Sequence, residues 1–159
     1  MSFDEDVTIT RKHIHQIELA VSPALVFEML RTPSAIRAWW QASRAIIIAE
    51  EGGAWAAAWG DEDDPDYSTA AVIRVFDPPR RLLLTGVKYY ARSDRRSFDS
   101  ETTIDFIIEA RPNGSLLRVV QDGFPADQSA DKFYAACETG WQKTFENIRQ
   151  FLAGKAAAF

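Results

Sequence analysis

His13 and His15 are the only imidazoles in the chain, and imidazole is the side chain best suited to acid–base work near neutral pH. In an extended segment the i, i+2 spacing puts both on one face, shared with Ile17 and Leu19. From that face they could reach a cavity mouth as acid, base or anchor. The simpler expectation is an exposed strand end, because Arg11 and Lys12 beside them favour water and no orienting carboxylate can be placed next to them. Zinc needs three or four nitrogen, sulfur or oxygen ligands, and the single cysteine, Cys137, falls on a distant apolar helical stripe. No metal site and no cofactor are expected. Tyr89, Tyr90 and Gln121 are the other isolated groups that an enzyme would have to use. The chain carries no nucleophile elbow, phosphate-binding loop or dinucleotide fingerprint.

Charge is grouped rather than scattered. The run Asp61-Glu62-Asp63-Asp64-Pro65-Asp66 holds five acids in six residues. It fails as a calcium loop, since Pro65 occupies a ligand position and the central glycine and closing glutamate are missing. A solvated loop is expected, with docking of a partner as the alternative. Arg92, Arg95 and Arg96 form the opposite cluster, expected to serve solubility or to grip an anionic group. Glu101, Asp105 and Glu109 alternate on one strand, on the parity opposite to its apolar face, and should meet water, as should Glu18 and Glu28. A net charge of −5 excludes nucleic acid as an expected partner.

The elements that must position these groups follow from periodicity. Thr8 to Val21 reads as a strand. Ser22-Pro23 and Thr32-Pro33 each give a cap followed by proline, predicting two short helices with Val26, Phe27 and Leu30 buried in the first. Strands are predicted over 44–50, 54–59, 67–76, 81–90, 98–109 and 115–122, with Asp77-Pro78-Pro79 as a stiff corner and Gly123-Phe124-Pro125 as a break. A long helix then begins near Ser129. Its stripe Phe133, Cys137, Trp141, Phe145, Ile148, Leu152 has spacings of four, four, four, three and four, one face of a 3.6-residue helix. Cys137, Ile148 and Leu152 are expected to be core. Adjacent strands with tight turns and segregated helices predict an α+β fold with an antiparallel sheet. One domain over 1–159 is expected, with its core at about 8–153.

Five Trp and ten Phe are generous for 159 residues. Trp40, Trp55, Trp59, Tyr89, Phe106, Gln121, Phe124, Phe133, Trp141 and Phe145 are the candidate ligand-binding residues, with core packing as the competing role for each. Trp and Tyr favour a lined cavity because each carries a polar atom that seeks a partner when buried. No segment is apolar enough to span a bilayer, and the acidic start lacks a signal peptide's features, so a cytoplasmic protein is expected.

Specific segments resemble the START-like (SRPBCC) superfamily, in the branch of the activator of Hsp90 ATPase homologue 1 domain. They are Ile17 through Trp40 with Ser22-Pro23 and Trp39-Trp40; Gly52-Gly53; Val75-Phe76-Asp77-Pro78-Pro79-Arg80-Arg81-Leu82; Thr102 to Phe106; Asp122-Gly123-Phe124-Pro125; and Gly140-Trp141 with Phe145, Ile148, Phe151 and Leu152. The resemblance implies a helix-grip fold, a curved seven-stranded antiparallel sheet around the long C-terminal helix. It also implies binding of a small apolar or amphipathic molecule, with an Hsp90-type co-chaperone or a polyketide cyclase or dehydratase as alternatives. Gln121 stands where relatives often carry His, and Ala71 where glycine is common. Nothing in the residues chooses between monomer and homodimer.

Overall fold

A computed structural model describes residues 9–92 and 101–157, with side chains described as far as Gly154. The chain runs β1 (Thr10–Leu19), α1 (Pro23–Arg31), α2 (Pro33–Trp39), β2 (Arg44–Ile47), β3 (Ala54–Gly60), β4 (Pro65–Asp77), β5 (Arg81–Ala91), β6 (Thr102–Arg111), β7 (Gly114–Pro125) and α3 (Asp131–Ala157), with a 3-10 turn at Gln128–Ala130. All seven strands form one antiparallel sheet in the order β1-β7-β6-β5-β4-β3-β2, so β1 and β2 are its edges. This is a helix-grip architecture. Each long strand buries one parity and wets the other. In β6, Thr102, Ile104, Phe106 and Ile108 are buried, while the outward Asp105 pairs with Arg81 and the outward Glu109 with Arg111 and Arg118.

Local chemistry sets the helix boundaries. Ser22 Oγ accepts a hydrogen bond from the Leu25 N–H at 3.3 Å, and Pro23 fills the first turn, where no N–H is needed. Thr32 opens α2 without a side-chain cap; its hydroxyl turns back to Glu28 instead. Val26, Phe27, Met29, Leu30, Ile36 and Trp39 are almost fully buried, each contributing about 1.5–3 kcal/mol relative to exposure. The Trp39 indole N–H donates to the Met29 carbonyl at 3.0 Å and so locks α2 onto α1.

Two glycines aim side chains toward α3. In β5 the register with β6 slips between Leu84 and Val87, where Gly86 has φ +60°. Leu82 and Leu84 are buried before the slip and Val87 and Ala91 after it, so the inward parity switches from even to odd and takes Tyr89 with it. In β7, Asp122 and Gly123 stand opposite Lys12 alone, with Gly123 at φ +95°. This bulge lets Phe124 share the inward face with Gln121 and Val119. The predicted strand break at Gly123-Phe124-Pro125 is therefore a bulge inside a strand that runs on to Pro125.

The other boundaries differ by a few residues. The predicted strand 44–50 ends at Ile47, β4 begins at Pro65, and the start predicted at Phe98 lies outside the described residues, as do Arg95 and Arg96. The helical stripe divides into two halves. Trp141, Ile148 and Leu152 are buried, whereas Phe133, Phe145 and also Cys137, expected in the core, are half-buried. Among the described residues no helix is long and apolar enough to cross a membrane.

Candidate functional site

The backbone of α3 comes close to α2, β1 and the 3-10 turn, and side chains bridge the space above the central strands. Those side chains are rings, and they form a closed circuit. Trp59 meets Tyr67 at 5.7 Å between centroids, Tyr67 meets Tyr89 at 6.1 Å, and Tyr89 meets Phe133 at 5.2 Å. Phe133 continues to Phe124 at 5.8 Å, Phe124 to His13 at 5.0 Å, and His13 to His15 at 4.8 Å. The return runs from His15 to Phe145 at 6.3 Å, then to Trp141 at 6.0 Å, Trp40 at 5.5 Å and back to Trp59 at 5.5 Å. These are distances at which tilted and edge-to-face rings attract. Strand parity places Ala57, Thr69, Ala71, Val87, Thr102, Ile104 and Gln121 beneath the circuit, a floor of non-aromatic side chains.

All ten candidate residues fall within this one cluster. Seven are members of the circuit. Of the other three, Trp55 packs on Trp40 at 5.7 Å and Phe106 on Trp141 at 6.0 Å. Gln121 is buried and accepts the Trp141 indole N–H through Oε1 at 2.8 Å. Trp59 donates its indole N–H to the Trp40 carbonyl at 2.9 Å. The rim members Trp40, Trp59, Tyr89, Phe133 and Phe145 are half-buried, while Trp55, Phe106, Phe124 and Trp141 lie below them.

The expectation that both histidines lie at an exposed strand end is corrected. His13 is only 6% exposed and His15 is half-buried. His13 packs against Phe124 and, at 5.0 Å, against Tyr134, and its Nδ1 lies 2.9 Å from His15 Nε2. One proton is shared along that contact, so the two rings hold opposite donor and acceptor roles there. Burial pushes the His13 imidazole down to about 4, with His15 adding to the effect and Glu138 opposing it. His15 is lowered as well, by burial first, again against Glu138. Both rings are neutral near pH 7. His15 is covered by Phe145 and His13 by Tyr134, which is not among the candidates. Its hydroxyl donates to the Lys12 carbonyl at 3.0 Å and its ring lies 4.5 Å from the Arg11 guanidinium, covering the strand end that Arg11 and Lys12 mark in the sequence as solvated. Tyr67, also absent from the candidates, enters the circuit through its inward parity in β4.

Two buried polar atoms at this cluster have no hydrogen-bond partner among the described residues, His13 Nε2 and the indole Nε1 of Trp55. Nearly all buried polar atoms in folded proteins are paired, so both are suited to meet a polar atom of another molecule. Concavities of about 340 Å³ and 280 Å³ lie elsewhere, one where Ala20–Pro23 faces the β6–β7 turn and one between α1, α2 and Phe151. Neither borders any of the ten candidates. Among the described residues no group of three or more His, Cys, Asp or Glu could hold a metal ion.

The acidic run is exposed to solvent, as expected, and it also carries contacts that the sequence does not show. Arg92 pairs with Asp64 and, at 2.7 Å, with Asp66, and Arg44 lies 3.5 Å from Glu62. The acidic run and Arg92, read separately in the sequence, hold each other.

A family model described as Activator of Hsp90 ATPase homolog 1-like protein matches residues 20–153. The chain belongs to that family. Several solved structures share its helix-grip fold with this Activator of Hsp90 ATPase homolog 1-like domain. A protein from Rhizobium leguminosarum is 22% identical with a TM-score of 0.74, over 92% of this chain and 97% of its own. One from Mesorhizobium loti is 19% identical with a TM-score of 0.73, over 90% and 97%. The AHSA1-like protein from Aeromonas hydrophila is 13% identical with a TM-score of 0.69, over 92% and 94%. No curated protein matches the chain. The family match accounts for the architecture; the function must be argued from the cluster itself.

Proposed function

We propose that this domain binds a small hydrophobic or amphipathic molecule at the aromatic seam between the sheet and α3. The observation that carries the reading is the pairing of a ring-lined seam with two buried, unpartnered polar atoms, His13 Nε2 and Trp55 Nε1. Apolar surface supplies affinity, and a few placed polar atoms fix orientation. The half-buried rim rings Trp40, Trp59, Tyr89, Phe133 and Phe145 are the ones that turn aside to admit the molecule, since the deeper rings are held by the sheet. The same ten residues proposed from the sequence therefore remain the binding set, joined by His13.

A second reading, acid–base catalysis of the cyclase or dehydratase kind, draws on the inward placement of the histidines. Tyr90 is in solvent, which leaves His13, His15 and Tyr89 to act. An imidazole held near 4 is a weak base at neutral pH, so His13 is better suited to anchor than to abstract a proton. For the co-chaperone alternative the acidic run remains exposed, with part of its charge offset by Arg92, and no further observation favours that reading.

The test is thermal shift with native mass spectrometry, using lauric acid, a flavanone and anilinonaphthalene sulfonate as probes. At about 100-fold excess over Kd, linkage stabilises by about 2.7 kcal/mol, or roughly 5–10 °C for a chain of this size. Phe133→Ala should weaken binding of any probe that shifts the wild type. If no probe raises Tm or forms a complex, the binding reading fails.

A further inference from the structure

We propose that this protein forms a homodimer by antiparallel pairing of β2 with the β2 of a second copy, about a two-fold axis at Ile47. The segment Arg44-Ala45-Ile46-Ile47-Ile48-Ala49-Glu50 reads the same in both directions in physical character. A two-fold axis at Ile47 sets Ile46 against the partner's Ile48, Ala45 against the partner's Ala49, and Arg44 against the partner's Glu50. Opposed residues then share a face, and opposite charges meet at both ends of the seam.

The backbone agrees with this register. Ile48 donates its N–H to the Ala54 carbonyl at 2.9 Å, and Ile46 stands opposite Ala56 in the β2–β3 ladder. Even-numbered residues of β2 therefore point their peptide groups at β3. Ala45, Ile47 and Ala49 point theirs at the free edge, beyond which the described sheet has no further strand. Those are the residues that an axis at Ile47 brings opposite one another as hydrogen-bonded pairs. The Glu50 N–H on the Ile48 carbonyl at 2.8 Å closes a tight turn centred on Ala49, so regular pairing ends there and Glu50 meets the partner's Arg44 through its side chain alone.

The outer face of this edge is apolar where edge strands are usually guarded by charge. Ile46 is 64% and Ile48 51% exposed. They continue across the sheet into Ala54, Ala56 and the 49% exposed Val72. The opposite edge, β1, also exposes an isoleucine, Ile14 at 53%, but there Lys12 and Gln16 flank it on the same outward parity, with Glu18 beyond, and interrupt the apolar surface. Arg44 sits 3.5 Å from Glu62 and 3.9 Å from Asp63, contacts long enough to be exchanged for the partner's Glu50.

Sedimentation equilibrium and light scattering on the full chain test the proposal. The wild type should have twice the 17.9 kDa chain mass at high concentration. Ile46→Lys with Ile48→Lys should make it monomeric, with the dimer Kd raised more than about tenfold because each lost cross-strand pair occurs twice per dimer. Both positions are exposed, so near-UV circular dichroism of that variant should match the wild type. A second arm needs no apolar change: Arg44→Glu or Glu50→Arg alone should weaken the dimer, and both together should restore it. A monomeric wild type at millimolar chain concentration overturns the proposal. So does a dimer indifferent to the lysines, or a charge-reversed pair that fails to recover.

Discussion

Replacing His13 by Phe should remove much of the acid sensitivity of this fold. The substitution keeps an aromatic ring against Phe124 and Tyr134 and deletes the buried imidazole. In the folded wild type that imidazole is lowered to about 4 from an ordinary 6.5, so between those values the unfolded chain binds a proton that the folded chain resists. Stability is therefore fully present above the ordinary value and is lost as pH falls toward the folded one. Taken whole, the difference amounts to about 3 kcal/mol. His13 lies one layer below the surface beside half-buried His15, and solvent screening brings the expected loss to about 1–2 kcal/mol. His15 is displaced in the same direction and contributes to both proteins, so the difference between them isolates His13. Urea unfolding across this interval measures it. The wild type should lose stability on acidification faster than His13→Phe, and the two should run parallel above it. Equal slopes throughout would refute the placement of His13 as a buried neutral group.

Three further predictions concern the helix and the bulge that face this site. Trp141→Phe breaks the indole bond to Gln121 and leaves a buried amide oxygen without its donor, for a loss of about 2–4 kcal/mol by chemical denaturation. Adding Gln121→Leu should recover part of that loss, and no recovery would mean that the bond is not its source. Gly140 lies within α3 and a methyl group placed there would meet no atom within 4 Å, so Gly140→Ala should stabilise by about 0.5–1 kcal/mol. Gly123→Ala should instead destabilise by about 1–3 kcal/mol, because its φ is +95° and the new Cβ would stand 3.0 Å from the Glu101 carbonyl oxygen. Melting temperatures moving in the same direction for both would contradict these backbone assignments.

The legible part of this protein is what periodicity encodes. The stripe on α3, the inward parity of β6 and the Ser22-Pro23 start all follow from side-chain spacing, which local geometry obeys without knowledge of the rest of the chain. The candidate rings were found for the same reason, since large aromatics on inward parities must meet somewhere. The histidines are not legible in this way, because their cover comes from more than a hundred positions away: Tyr134 closes over His13 and Phe145 over His15, at a strand end whose neighbours, Arg11 and Lys12, look solvated. Gly123 misled in another way. A glycine two residues before a proline signals a break, yet a bulge needs the same positive φ and lets the strand continue with its parity reversed. The pairing of Arg92 with Asp64 and Asp66 was out of reach because sequence gives no register between distant strand ends.

The five tryptophans have one last consequence, which concerns what light can report about this molecule. Trp40 lies against each of the other four, with centroids at 4.9 Å to Trp39, 5.7 Å to Trp55, 5.5 Å to Trp59 and 5.5 Å to Trp141. Rings this close share excitation, so the intrinsic fluorescence of the whole chain is in effect one chromophore sited at the seam. An unfolding curve read by tryptophan emission follows the loosening of that seam, and it will diverge from a far-ultraviolet curve wherever the sheet outlasts it. The protein thus carries its own optical gauge at the place where a bound molecule would be felt.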